Sequence, residues 1–201
     1  AVSLNMNTGI LSPINFLRIE PSPLQAFTNA VKHPILRPHY NKQVHMTPTA
    51  KGPWSLEDTH RFLRDSTVPM RLACTGNDGY PRVVSVWYAF AEQALLCVSH
   101  EKSALVKLLQ RDPKVGFEVS PNAPPYHGVR GQGQARLEPL GDSELLDLLL
   151  ERYLGQQESR VGNWLLSRKA EEVLIRIQPE RLFTWDYRER MADVTRGQAA
   201  Q

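Results

Sequence analysis

The sequence predicts a mainly β fold of the α+β class, an antiparallel β-barrel of six strands with peripheral helices. Short runs of alternating or continuous apolar residues recur between residues 70 and 187, as in strands that bury one face. Turn signals separate the runs, and the clearest is Gly76–Gly79 (Gly-Asn-Asp-Gly), which favours a hairpin. Because short antiparallel strands must bury one face, a closed or split barrel is the favoured architecture.

The chain divides by composition into an arm, a domain and a tail. Residues 1–53 hold seven of the fifteen prolines and show no helical or strand period, so we expect an irregular arm. Residues 54–190 form the predicted domain, and residues 191–201 form a C-terminal tail. We expect the arm to be dispensable for the barrel. The rival hypothesis is that it crosses to a partner subunit and covers the binding site.

The first half of the domain begins with a helix over 56–65, because Ser55 and Asp58 have the spacing of a capping box. Its predicted strands lie at 70–75, 82–89 and 94–99. The last two of these strands form a predicted hairpin. Ser103 can cap a second helix, which Pro113 ends.

The second half of the domain alternates strands with leucine-rich helices. Its predicted strands lie at 114–119, 129–137, 173–177 and 181–187. The last two segments continue one strand on either side of Pro179. Asp142 is the predicted cap of a leucine-rich helix that ends at Gly155, and a shorter helix is predicted over 158–169.

Composition and charge exclude several classes of protein. The net charge is +3, but residues 1–50 carry all of the excess, so the domain has no basic bias towards nucleic acid. No apolar run approaches the ~20 residues that span a bilayer, and the N-terminus lacks a secretory signal pattern. Cys74 and Cys97 lie in apolar runs, which is typical of reduced core thiols. We therefore expect a cytoplasmic protein that binds neither nucleic acid nor membrane.

Polar and cationic side chains recur at the ends of predicted elements. Arg82 lies near the start of a strand, with Val84 on the same face. One hairpin later, Ser99, Lys102 and Ser103 close a strand and open a helix. Free N–H groups at a helix start favour an anion, and hydroxyl and ammonium groups add donors. The two groups could converge on one phosphate, or they could be a surface arginine and an ordinary helix cap.

Aromatic residues and short motifs add weaker signals. Trp87 and Trp185 could stack on a planar ring, although strand tryptophans more often pack in a core or an interface. Tyr126 and His127 lie in a proline-rich loop and could touch a ligand. The sequence Gly-Gln-Gly-Gln at 131–134 lies within a strand, so it is not a dinucleotide-binding loop. The histidine and cysteine spacings predict no metal site, and no nucleophile motif is present.

Four segments in order resemble the pyridoxamine-phosphate-oxidase-like, FMN-binding split-barrel family. They are Asp78–Tyr88 (DGYPRVVSVWY), Leu95–Val115, Val129–Leu137 and Val173–Asp186. The resemblance covers roughly two thirds of the chain, and the order and spacing of the segments are more specific than any one of them. It implies a six-stranded antiparallel split β-barrel that forms a homodimer with two FMN molecules at the interface.

The resemblance also implies a set of cofactor-binding residues. These are Arg82, Val83, Val84, Ser85, Trp87, Ser99, Lys102, Ser103 and Trp185. Arg82 and the Ser99–Ser103 loop would hold the FMN phosphate, Val84 and Ser85 would follow the isoalloxazine ring, and Trp185 would lie near the flavin. Catalytic residues are not implied.

Two departures from the family pattern bear on function. Ala104 and Leu105 follow Ser103, where many members have a basic residue. The chain has Trp-Asp-Tyr-Arg at 185–188, where the vitamin-forming oxidases have an Arg-Leu-His type of substrate motif. This second departure argues against a pyridoxamine phosphate oxidase activity.

The resemblance makes an FMN-dependent oxidoreductase of unknown substrate the leading expectation. The alternatives are a non-catalytic flavin- or haem-binding module for storage, sensing or stress response, a deazaflavin-dependent reductase, and a barrel without cofactor. Val83, Val84, Val86 and Trp87 follow one another and would place apolar groups on both faces of one strand. One barrel interior cannot bury both faces, which predicts a homodimer.

Overall fold

The computed structural model describes residues 47–155 and 159–193. The predictions about residues 1–46 and about the tail beyond residue 193 lie outside these residues. The strands described are β1 (Thr49–Lys51), β2 (Met70–Thr75), β3 (Pro81–Val86), β4 (Ala89–Ala91), β5 (Ala94–His100), β6 (Lys114–Val119), β7 (His127–Pro139) and β8 (Glu172–Asp186). The α-helices described are α1 (Leu56–Asp65), α2 (Ala104–Arg111), α3 (Leu145–Leu154) and α4 (Arg160–Ser167).

The strands form one curled sheet in the order β3-β2-β6-β7-β8-β5-β4, with β1 added in parallel to β8. All the other pairs are antiparallel. The inner face of the sheet, together with α1 and α2, encloses the main core, which includes Leu72, Leu95, Phe117, Ile175 and Leu182. The predicted fold class, a mainly antiparallel split barrel with peripheral helices, is confirmed.

The predicted second hairpin is wrong. The predicted strand over 82–89 is broken at Trp87 and Tyr88, β3 pairs with β2, and the hairpin that leads into β5 starts from β4 instead. Glu92 and Gln93 turn this hairpin with φ angles of 52° and 59°, as a two-residue type I′ turn requires. The strand breaks because the side chain of Tyr88 is fully buried and its hydroxyl donates to the Leu63 carbonyl oxygen at 2.9 Å.

Strand β8 is continuous through Pro179, in agreement with the prediction that the two segments around this residue continue one strand. The register between β7 and β8 shifts at Gln132 and Gly133, and Gly133 lies opposite Pro179. A Cβ atom at Gly133 would lie 2.1 Å from the carbonyl oxygen of Gln178, so the backbones approach as only glycine permits. This β-bulge accommodates Pro179, which has no backbone N–H to donate to the neighbouring strand, so β8 continues past it.

The helix signals are confirmed at most ends. The Ser55 and Ser103 side chains accept hydrogen bonds from the backbone N–H groups of Asp58 and Val106, as predicted caps do. Gly155 follows α3 with a φ of 75°, which suits the position after a helix. The prediction of Asp142 as a cap is wrong, because α3 begins later and Glu144 precedes its first residue.

Two residues far apart in sequence close the C-terminal end of α1. The Tyr88 hydroxyl donates to the Leu63 carbonyl oxygen, and the Arg152 guanidinium donates to the carbonyl oxygens of Arg64 and Ser66. The last carbonyl groups of a helix have no partner within it, and a cation there also suits the helix dipole. The contact ties α1 to α3, and nothing local in the sequence indicates it.

Candidate functional site

Strand β3 lies at one end of the strand order and is exposed along its length. Five of its residues are exposed and Val86 is half-buried. Val83 and Val84 are 64% and 36% exposed, which is high for valines in a strand. Among residues 47–155 and 159–193, β3 pairs only with β2, so no described strand occupies its outer backbone edge, which can bind a ligand or another chain.

Arg82 is the second residue of this exposed strand and is held by a local ion pair. Its Nη2 atom lies 2.6 Å from the Oδ2 atom of Asp78 in the preceding turn. The hydrogen bond from Arg82 lowers the pKa of the Asp78 carboxyl group, and the backbone N–H of Tyr80 lowers it further. Both side chains are about half exposed, so an incoming anion could compete with Asp78 for the guanidinium.

The loop between β5 and α2 brings three of the predicted site residues together. The Oγ atoms of Ser99 and Ser103 lie 3.0 Å apart, and Ser103 also caps α2 through the N–H of Val106. The ammonium group of Lys102 is largely exposed, 3.6 Å from Glu101. Hydroxyl groups, an ammonium group and a helix N-terminus in one loop form a donor set that suits a phosphate.

His100 holds this loop in place, and its role is not evident from the sequence. Its Nδ1 atom accepts a hydrogen bond from the backbone N–H of Lys102 at 3.0 Å. The proton of the neutral ring is therefore on Nε2, which donates to Glu171 Oε2 at 2.8 Å. This hydrogen bond lowers the pKa of the Glu171 carboxyl group.

Arg82 and the serine loop lie towards opposite ends of α2. Arg111, the last residue of α2, donates a hydrogen bond to the Thr75 carbonyl oxygen, and Thr75 pairs with Pro81 beside Arg82. A helix of this length extends about 12 Å, and Ser103 is at its other end. The structure unites the serines and the lysine but does not put Arg82 in contact with them. That the two groups share one phosphate stays a prediction.

The candidate aromatic residues have partners within the protein. The indole of Trp87 stacks on the Tyr153 ring, with 5.3 Å between centroids and 7° between planes. Trp185 is half-buried opposite Gly128, where a Cβ atom would lie 2.8 Å from the indole. His127 lies near the rings of Trp54 and Phe62. Trp87 and His127 therefore pack against other aromatic rings of the protein. A flavin contact of Trp87 or Trp185 stays a prediction.

Other classes of site find little support within residues 47–155 and 159–193. No group of three or more His, Cys, Asp or Glu side chains there could hold a metal ion. The glycines of the 131–134 segment lie inside β7, as the sequence indicates. Cys74 and Cys97 are buried free thiols, and burial raises the pKa of each. No helix in this part of the chain is long and apolar enough to cross a membrane.

Comparison with known proteins identifies the family. The family model described as pyridoxamine 5'-phosphate oxidase matches residues 56–186, from the start of α1 to the end of β8. The chain belongs to this family. Among curated proteins, none matches the chain.

Solved structures share the fold at low sequence identity. The conserved hypothetical protein Rv2991 from Mycobacterium tuberculosis is 24% identical, with a TM-score of 0.59 over 71% of this chain and 91% of that one. An F420 reductase is 22% identical, with a TM-score of 0.53 over 65% of this chain and 97% of that one. The haem storage protein HutZ from Vibrio cholerae is 18% identical, with a TM-score of 0.51 over 65% of this chain and 94% of that one. At these identities the likeness concerns the fold.

The residue directly after Ser103, where the resemblance implies a basic residue in many members, is Ala104. The next residue, Leu105, is buried and belongs to the main core. Ala104 is exposed but carries no charge. The loop that leads into α2 carries the cation of Lys102, whereas Arg82 lies towards the other end of the helix.

Proposed function

We propose that this family member binds FMN and acts as an FMN-dependent oxidoreductase. The observation that carries the proposal is the phosphate-type donor set at the start of α2, which accompanies an exposed edge strand. The Ser99 and Ser103 hydroxyl groups are 3.0 Å apart. The N–H groups of Ala104 and Leu105 in the first turn of α2 have no partner among the described residues.

The residues present fit the chemistry of FMN. Ser99 and Ser103 can donate to phosphate oxygens, and Lys102 can supply a cation from the same loop. Arg82 can supply a second cation once its guanidinium leaves Asp78. The free backbone edge of β3, over 83–85, can hydrogen-bond a planar heterocycle, and the exposed valine side chains can cover part of it. A bound flavin would supply the redox chemistry, while the chain binds it, orients it and limits its contact with water.

Two alternatives rest on similarity of fold. The resemblance to an F420 reductase supports a deazaflavin-dependent reductase, and the resemblance to HutZ supports a haem-binding protein without turnover. Both proteins have TM-scores only slightly above 0.5 with this chain. The donor set at α2 favours a ligand that carries a phosphate, which FMN has and haem lacks.

The absorbance spectrum of the purified full chain tests the proposal. We expect flavin bands in the blue region, either as isolated or after incubation with FMN and gel filtration. A Soret band would favour haem, and retention of a deazaflavin in preference to FMN would favour the reductase. Failure to retain FMN, deazaflavin or haem would overturn the proposal of a cofactor-binding protein.

We further propose that the chain forms a homodimer through β3, and we expect a dimer at micromolar concentration in sedimentation experiments. A lysine in place of Val83 should raise the dimer dissociation constant at least about tenfold, because two charges would lose water at the interface. The matched control is Val161→Lys, since Val161 is exposed to a similar degree (53% against 64%) but lies on α4. A wild-type monomer that retains flavin, or equal effects of the two variants, would contradict this prediction.

A further inference from the structure

A groove of about 830 Å³ lies on the protein surface away from β3, where β7 ends and β8 begins. Its lining includes four carboxylate side chains, those of Glu101, Glu138, Asp142 and Glu172. Its apolar lining includes Leu137, Leu140 and Val173. Lys169 is the one cationic residue among those that line the groove, and its Nζ atom is bound to Asp147 at 2.9 Å. The groove is therefore acidic with an apolar wall.

Glu172 distinguishes this groove from an ordinary cluster of surface acids. The residue is only 6% exposed. Its carboxylate has no hydrogen-bond or ion-pair partner among the described residues, although it lines the groove. The side chain is thus largely shielded from bulk water, and its carboxylate oxygens, which keep contact with water only at the groove, are open to a ligand there.

The charged groups around Glu172 do not replace a partner. Burial raises the pKa of the Glu172 carboxyl group, and the neighbouring charge of Glu171 raises it further. His100 and Arg168 act in the opposite direction from a distance, since neither is within ion-pair range of Glu172. His100 faces Glu172 across the β5–β8 pair, but its Nε2 atom is engaged with Glu171.

Two of the other carboxylates in the groove already have cationic partners, whereas Glu172 has none among the described residues. Glu138 is bound to Arg176 Nε at 3.3 Å, and Glu101 is near Lys102. A metal ion is a poor fit, because no cluster of three ligating side chains exists among the described residues. A cation with its own N–H donors and an apolar body would match both the carboxylate and the wall of Leu137, Leu140 and Val173.

We propose that this groove binds an organic cation, an ammonium or guanidinium group on an apolar stem, with Glu172 as its counter-ion. The cation would donate hydrogen bonds to the buried carboxylate, and the stem would lie against the leucine and valine side chains. The groove includes Glu101 of the β5–α2 loop but neither serine and no residue of β3, so the proposal does not depend on FMN binding.

Calorimetric titration of the full chain with n-butylguanidinium tests the proposal, and n-butylurea serves as the neutral ligand of the same shape. We expect butylguanidinium to bind and butylurea to bind at least about tenfold more weakly. Glu172→Gln should lower the affinity for butylguanidinium about tenfold or more. The control is Glu180→Gln, an exposed carboxylate on the same strand, outside the groove, bound to Gln134. This variant should bind like the wild type.

The pH dependence supplies a second test that needs no variant. Since the pKa of Glu172 is raised in the free protein, lowering the pH protonates this group before ordinary glutamates. Butylguanidinium affinity should therefore fall as the pH is lowered and Glu172 becomes protonated. Equal affinity for the two ligands, no binding of butylguanidinium, or equal effects of Glu172→Gln and Glu180→Gln would overturn the proposal. If Glu172→Gln does not fold, a pH-independent affinity of the wild type would overturn it.

Discussion

Replacing Tyr88 by alanine is expected to lower the free energy of unfolding by about 3–5 kcal/mol. The residue follows β3 in the chain, its side chain is fully buried, and loss of the ring would leave a large cavity. The variant also loses the hydrogen bond from the Tyr88 hydroxyl to the Leu63 carbonyl oxygen. It further removes the aromatic ring whose centroid lies 5.8 Å from the Arg152 guanidinium. Urea denaturation at fixed protein concentration measures the effect as a shift of the midpoint.

Two further variants separate the contributions to this stability. Tyr88→Phe keeps the ring but leaves the Leu63 carbonyl oxygen unpaired, so we expect a loss of about 1–3 kcal/mol. Tyr80→Ala removes a tyrosine that is 70% exposed and should change the stability by less than about 0.5 kcal/mol. A loss below about 1 kcal/mol for Tyr88→Ala would contradict the view that this residue anchors α1.

The second large effect concerns cofactor affinity. Arg82→Ala is expected to weaken FMN binding by about 1.5–3 kcal/mol, because the proposed site includes a charge-assisted hydrogen bond from Arg82 to the phosphate. Lys102→Ala should act in the same direction. Riboflavin lacks the phosphate and should bind equally well to both variants and to the wild type. Fluorescence titration with the two ligands measures all of these affinities.

The control for Arg82 is Arg61→Ala. Arg61 is also an exposed arginine paired with a nearby aspartate, Asp58, but it lies on α1. Its replacement should leave FMN affinity unchanged. If Arg82→Ala weakens riboflavin as much as FMN, the phosphate does not lie at Arg82. If it weakens neither ligand, the guanidinium stays with Asp78 and the phosphate site is confined to the serine loop.

Local signals in the sequence were sufficient for most elements and for part of the site. The caps Ser55 and Ser103 act through backbone N–H groups three residues away, so their effect can be read from spacing alone. The turn at 76–79 and the strands with alternating apolar residues can likewise be predicted from neighbouring residues alone. The sequence could also predict that Ser99 and Ser103 lie close together, because only a short loop joins the two residues.

The sequence by itself determined the fold class, most of the helix ends and the loop that unites Ser99, Lys102 and Ser103. Only the tertiary structure decided that β3 is exposed and ends before Trp87, that Tyr88 and Arg152 close α1, and that Glu172 is buried beside an acidic groove. The physical reason is that strand pairing and burial depend on partners far away in the chain. A hydrogen-bond cap requires only its neighbours, whereas the environment of a carboxylate such as Glu172 is set by β5, β7 and the loops that pack around it.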